Sequence, residues 1–256
     1  MDAILALPGP QDLALAFAVA ALAGVIKGLV GFAMPMVLIS GLSLILPPEI
    51  ALAGLILPTL VTNAMQALAQ GWRAAAWSIR QFRVFLIVGG LVLVSSAQLV
   101  GVVPQPVLLL GIGLPVTLFA VLLLAGVRFR VSRQSPRVDA GVAAVAGFIG
   151  GFSGIWGPPT VAYLTALDTP KADALRVQGV IYGLGAVALA GAHLGSGVLN
   201  AQTAPFSASL VLPAILGMWI GGWMQRWVDQ ALFRRLTLIV LVVAGLNLVR
   251  RGLMGM

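Results

Sequence analysis

The chain has no cysteine and a single histidine, His193, among its 256 residues. Without cysteine there can be no disulfide, thiolate relay or cysteine-bound metal, although this leaves the compartment open. Charge is also scarce, with Asp, Glu, Lys and Arg together making 9% of the residues, against roughly 25% in an ordinary soluble domain. All seven carboxylates, Asp2, Asp12, Glu49, Asp139, Asp168, Asp173 and Asp229, fall at segment ends or in loops. Cation transporters and proton pumps usually keep an acid near the membrane midplane, so this distribution points away from a cation substrate. No nucleophile with a base and an orienting acid can be assembled around His193, whose expected role is structural, and no metal-ligand spacing or Walker-type loop occurs. The chain therefore does not read as an enzyme or an ATP-driven pump, and it calls for no cofactor.

What is present is apolar surface. Hydrophobic residues make up 60% of the chain and mean hydropathy is +1.07. Apolar stretches of about 18 residues or more, the length needed to cross a bilayer, recur throughout. The fold class is thus an all-α, multi-pass integral membrane protein. The net charge of +8 sits in short loops between apolar runs, so it reports topology rather than a nucleic-acid partner. The N-terminal M-D-A-I-L-A-L-P-G-P-Q-D has no basic region and does not read as a signal peptide.

Two stretches interrupt the apolar runs. Phe148 to Thr160 reads F-I-G-G-F-S-G-I-W-G-P-P-T, and Gly24 to Pro35 reads G-V-I-K-G-L-V-G-F-A-M-P. Glycine loosens a helix and proline removes a donor, so both are expected to break. In lipid a break survives only where protein or a water-filled cavity covers the freed backbone groups. Splitting Leu13 to Leu46 at its break gives arms of about 15 residues, or about 22 Å of helix, short of a full crossing. A hairpin with Lys27 at its tip is expected. Helices follow at about 49–70, 81–101 and 106–126, then at about 172–194, 205–225 and 231–249.

The second half repeats the first at a constant offset. Gly24, Gly28, Gly31 and Pro35 fall on Gly147, Gly151, Gly154 and Pro158, each 123 residues later, and Pro47, Ala51 and Leu52 fall on Pro170, Ala174 and Leu175. The chain divides into a first transmembrane repeat (1–126), a basic cytoplasmic linker (127–138) and a second repeat (139–256). If the broken segments span fully, the repeats are parallel and the loop Lys and Arg divide nine inside to five outside. If they are re-entrant hairpins, each copy has three crossings, the second is inverted, and the division is twelve to two, with only Arg250 and Arg251 outside. The positive-inside rule favours inversion.

Inverted repeats would set the two breaks facing each other near the midplane, with half-helix N-termini suited to an anion. Glycines 28, 31, 151, 154 and 157 would admit a ligand to the backbone, and Pro35, Pro158 and Pro159 would shape the breaks. Lys27, and Arg176 in the second turn after Pro170, would supply positive charge; snorkelling and pairing with Asp173 are their structural alternatives. Ser153, Trp156 and Thr160 could line the pocket or merely pack. Asn63 and Gln66 share one helix face, as do Gln178 and Tyr182, and either pair could meet substrate or a neighbouring helix. Gly217, Gly221 and Gly222 form a small-xxx-small face, while Trp219, Trp223 and Trp227 read as lipid-facing anchors.

The stretch from Gly147 to Arg176, G-F-I-G-G-F-S-G-I-W-G-P-P-T followed by a proline-initiated helix with an Arg, resembles the second-repeat signature of the sulfite exporter TauE/SafE family. Gly24 to Pro35 is similar to its N-terminal motif, and R-L-T-L-I-V-L-V-V-A-G-L-N-L from Arg235 to its last helix. The chain departs from the pattern at Lys27, at Phe32, Ala33 and Met34, and at Trp156, where smaller residues are common, so substrate identity does not transfer. The resemblance implies a bacterial inner-membrane transporter, an exporter, of small sulfur-containing or carboxylated anions such as sulfite or sulfonates. An anion channel and a non-transporting scaffold are the alternatives. The expected partners are a small anion and the bilayer, with a coupling ion (H+ or Na+) and homo-oligomers left open.

Overall fold

The computed structural model describes residues 9–97, 104–127, 134–153, 157–195 and 197–255, and these contain helices and no strand. The first half holds α1 (Pro10–Val30), α2 (Met34–Leu42), α3 (Pro48–Leu68), α4 (Trp72–Gln81), α5 (Arg83–Ala97) and α6 (Gln105–Leu124). The second holds α7 (Pro136–Ser153), α8 (Gly157–Ala166), α9 (Lys171–Gly195), α10 (Ala204–Ser209), α11 (Val211–Gln225) and α12 (Gln230–Met254). Among the described residues five segments are long and apolar enough to cross a membrane, in α1, α3, α9, α10–α11 and α12, and a sixth arises if α4 and α5, bent by 73°, are counted as one. Large apolar side chains such as Leu91, Val187, Leu212 and Val243 are exposed on the outer faces, as a lipid solvent requires. Trp219, Trp223 and Trp227 share that exposure.

The first break departs from the expected one. Splitting Leu13 to Leu46 at its break predicts two arms of about 15 residues with Lys27 at the tip; instead α1 runs unbroken for 21 residues, and α2 is 9 residues long. The turn is confined to Gly31, Phe32 and Ala33, where Gly31 (φ 88°) and Ala33 (φ 74°) adopt left-handed backbone. Lys27 thus lies one turn before the break. The upstream glycines do not loosen α1; they bring it against α11. A Cβ on Gly24 or Gly28 would come within 2.2 Å of the carbonyl oxygen of Ala214 or Met218, and one on Gly217 or Gly221 within 2.0 and 2.1 Å of Ala21 and Val25. Four glycines on two facing stripes let the backbones touch, which is how helices gain contact in a bilayer without a hydrophobic driving force.

Side-chain contacts fix the helix directions. The Thr62 hydroxyl lies 3.2 Å from Met34 Sδ, and a Cβ on Gly41 would meet Val19 at 2.6 Å, so α2 folds back along α1. Next, α3 runs with α1, because Lys27 meets Asn63 and Gly31 meets Gln66. The pair α3 and α9 is antiparallel: Gln66 Nε2 donates to Leu175 O and Gln70 Nε2 to Ala172 O, both at 2.7 Å. So is the pair α6 and α12, where Gly113 packs on Gly245 and Gly252 on Pro106 and Leu110. The remaining large pairings are α1 with α11 and α5 with α7. In the latter, Gly147, at the position matching Gly24, would place a Cβ 2.3 Å from Gly89 O.

One element was missed. The short helix α4 carries exposed Trp72, Trp77 and Ile79 and buried Ala75 and Ser78, so it is amphipathic rather than uniformly apolar and left no long run to find. The acids also need refinement: Asp139 stands in the first turn of α7 as an end residue, yet it is buried and accepts from Tyr163 Oη at 2.6 Å and Gln134 Nε2 at 3.0 Å.

Candidate functional site: a cationic cavity beside the first break

Where α3 and α11 end and α9 begins, α1 completes the wall of a cavity of about 250 Å³. Its lining includes Lys27, Gln66, Gln70, Lys171, Arg176 and Gln225, three of them basic and none acidic. Lys27 is 2% exposed. Its Nζ donates to Asn63 Oδ1, and among the described residues no carboxylate pairs with it. Stripping an ammonium of water without a counter-charge costs several kcal/mol, so this position favours an anion in the cavity.

Arg176 is held differently. Its Nε donates to Ser78 Oγ at 2.8 Å, one terminal nitrogen meets Gln70 Oε1 and Asp173 Oδ1, the latter at 2.9 Å, and its guanidinium lies 5.5 Å from the Trp77 ring. The missed helix α4 therefore supplies two of its supports, Ser78 and Trp77. Lys171 donates to the carbonyl oxygens of Val228 at 2.5 Å and Gln225 at 3.3 Å at the end of α11. Asp173 offsets Arg176, while Lys27 on the same wall has no such carboxylate.

Gln66, on the cavity wall, also reaches the first break. Gln66 Nε2 caps Gly31 O at 3.0 Å, satisfying a carbonyl that the end of α1 leaves free. Gln66 Oε1 and Gln178 Oε1 are both buried without a partner, and a Cβ on Gly31 would lie 2.5 Å from the latter. Only glycine fits there, on backbone sign and on space alike.

The start of α8 comes up to the first break. This helix opens at Gly157, with Pro158 and Pro159 in the first turn. Tyr182 Oη donates to Gly157 O at 3.1 Å, and a Cβ on Gly157 would stand 3.8 Å from the Phe32 ring, so the start of α8 and the first break are near neighbours. Thr160 is fully buried and lines an apolar groove with Phe85, Gly89 and Ile181 rather than the cationic cavity. Pro35 sits in the first turn of α2, while Gly151 and Ser153 belong to the last turn of α7; Gly154 and Trp156 lie outside the described residues.

The predicted residues thus fall into two groups. Lys27, Gly28, Gln66 and Arg176 meet in the cavity with Asn63 behind Lys27; Gly157, Thr160 and Tyr182 gather at the second break, and Gln178 stands between. Sequence reasoning missed Gln70, Lys171 and Gln225. A signal existed for Gln70, since Asn63, Gln66 and Gln70 recur at i, i+3 and i+7 on one helix face.

The family model for the sulfite exporter TauE/SafE matches residues 16–248 of the chain. The chain belongs to the TauE/SafE family. No curated protein and no solved structure matches it. TauE/SafE proteins are membrane transporters, and membership implies export of sulfite or a related anion. The apolar helices agree with a multi-pass membrane protein. For a TauE/SafE chain, a positively lined cavity beside a broken helix is the feature that needs a chemical account.

Proposed function

We propose that the protein is a secondary transporter of the bacterial inner membrane that exports a small sulfur-containing or carboxylated anion, captured in the cavity by Lys27, Lys171 and Arg176. The observation that carries this reading is Lys27, a buried cation on the wall of a cavity of about 250 Å³ with an amide, not a carboxylate, as its partner. A sulfite-like oxyanion would complete its charge, accept from the Arg176 guanidinium and Gln225 Nε2, and exclude the water that would otherwise solvate them. Gln225 Nε2 is buried and unpartnered in the absence of such a ligand.

Alternating access is supported by the helix directions. Elements one offset apart, α3 with α9 and α6 with α12, run antiparallel, as inverted repeats require and parallel repeats do not. On that arrangement the cavity opens to the side holding Arg73, Arg80 and Arg226, which the positive-inside rule makes cytoplasmic. A substrate drawn from the cytoplasm meets positive charge on entering, as an exporter of anions needs.

Thermal unfolding of the purified protein against sulfite, thiosulfate, short sulfonates, carboxylates and, as controls, organic cations tests the substrate class. A ligand at about 100 times its Kd adds about 2.7 kcal/mol to the folded state, so oxyanions should raise the unfolding midpoint. Stabilisation by none of the anions would remove the anion-binding reading.

A further inference from the structure

The helix α4 is held by the protein on one face. Ala75, Ser78 and Phe82, spaced i, i+3 and i+7, are buried, and Ser78 Oγ accepts from Arg176 Nε at 2.8 Å. The opposite face carries exposed Arg73 and Arg80, seven residues apart, with Trp72, Ile79 and Arg83 along one flank. Trp72 is 68% and Ile79 46% exposed.

Neither water nor hydrocarbon alone suits that face. Large apolar side chains lose by facing water and arginines lose by entering the bilayer core, so the arrangement fits the boundary between the two. The direction of α4 agrees. After Arg83, α5 carries no charge and exposes Ile87, Leu91 and Val94, as a segment in lipid does, and α4 is bent by 73° from it. A helix set so close to perpendicular to one that enters the bilayer lies near the membrane plane, the setting of interfacial amphipathic helices.

The charge names the occupant. No Asp or Glu occurs between Glu49 and Asp139 in the sequence, and among the described residues Arg73, Arg80 and Arg83 form no ion pair. Arg73 stacks on Trp72, its guanidinium carbon 5.5 Å from the ring centre, which leaves the N–H edge for oxygen acceptors. Guanidinium groups bind phosphate oxygens in pairs, and a headgroup of net negative charge meets these cations where a zwitterionic one brings its own ammonium. A second copy of this face would set arginine against arginine. We propose that the outer face of α4 is a docking surface for anionic phospholipid, with Arg73, Arg80 and Arg83 on the phosphate and Trp72 and Ile79 at the start of the acyl chains. The surface lies on the opposite side of α4 from Ser78 and does not depend on which anion the cavity takes.

The test is thermal unfolding of the purified full-length protein in a neutral detergent, without transport substrate, titrated with phosphatidylglycerol or with phosphatidylcholine of the same chains. Phosphatidylglycerol should raise the unfolding midpoint at the lower concentration. Arg73→Gln combined with Arg80→Gln, at two exposed positions, should raise the half-saturating phosphatidylglycerol concentration about 30-fold, the worth of two arginines at a membrane surface, and leave the phosphatidylcholine response as a folding control unchanged. Equal response of the parent to both lipids overturns the proposal. So does a phosphatidylglycerol preference kept in the variant, which would assign it to the other basic loops. Glycerol phosphate, the headgroup without chains, should not reproduce the arginine-dependent shift; a full shift with it would mean a site for a soluble anion and overturn the lipid assignment. Because no substrate is present, failure here leaves the anion-transport reading untouched.

Discussion

Lys27 is unusual because its neighbours do so little to neutralise it. It sits in the last turn of α1, where the C-terminal end of a helix favours a cation, and Asn63 Oδ1 accepts from it, but neither carries a full negative charge. Replacing a buried, poorly compensated charge with an apolar side chain of similar length is often neutral or stabilising. Lys27→Met should therefore fold as well as the parent or better by up to about 1–4 kcal/mol in denaturant titrations, while losing all stabilisation by sulfite. Retained ligand stabilisation in that variant would place the anion elsewhere. Arg176 answers a different question, since its planar fork bridges Gln70, Ser78 and Asp173 at once. A lysine there keeps the charge and loses the fork, so Arg176→Lys should raise the KM for transport about tenfold, or about 1.4 kcal/mol, with a smaller change in kcat.

At the scale of helices, the glycines divide by role. Gly24 and Gly28 face the α11 backbone with no room for a methyl group, whereas Gly222, on α11, has nothing within 4 Å of its missing Cβ. Gly28→Ala should lower the unfolding midpoint by several degrees through a 1–3 kcal/mol overpacking cost, on the order seen in well-packed cores, and Gly222→Ala should leave it unchanged. Equal effects at the two positions would contradict the close α1–α11 contact. These roles explain what could be read from residue order. The offset of glycines and prolines marks both breaks and most helix limits, because proline and left-handed glycine act on their own backbone. Where α1 turns was not legible: Gly24, Gly28 and Gly31 look alike in sequence, and only contact with α11 separates packing glycines from the turning one. The helix α4 was hidden for a related reason, since its apolar side chains cover one face and do not form a run. Lys171 looked like a loop charge, and it joins the cavity only because α9 folds against the end of α11.

For the whole molecule, the antiparallel setting of matched helices makes a prediction about sidedness. The loops bearing Arg73, Arg80, Arg137, Lys171 and Arg226 should face the cytoplasm, and α12, with Arg250 and Arg251 in its last two turns, should end outside. A reporter fused after Met256 should be active on the periplasmic side; cytoplasmic activity would contradict the inverted arrangement. On the proposed inverted arrangement, Gly150, Leu189 and Ala53 stand where symmetry would repeat Lys27, Gln66 and Arg176. On the proposed anion reading, these basic and amide groups are not repeated by the pseudo-symmetry, so binding and release need not be mirror images. The measurement that tests this account most directly is sulfite counterflow in proteoliposomes containing either the parent protein or Lys27→Ala. The account predicts saturable counterflow for the parent and none for the variant at equal protein incorporation. Counterflow with the same KM and maximal rate in both would contradict it.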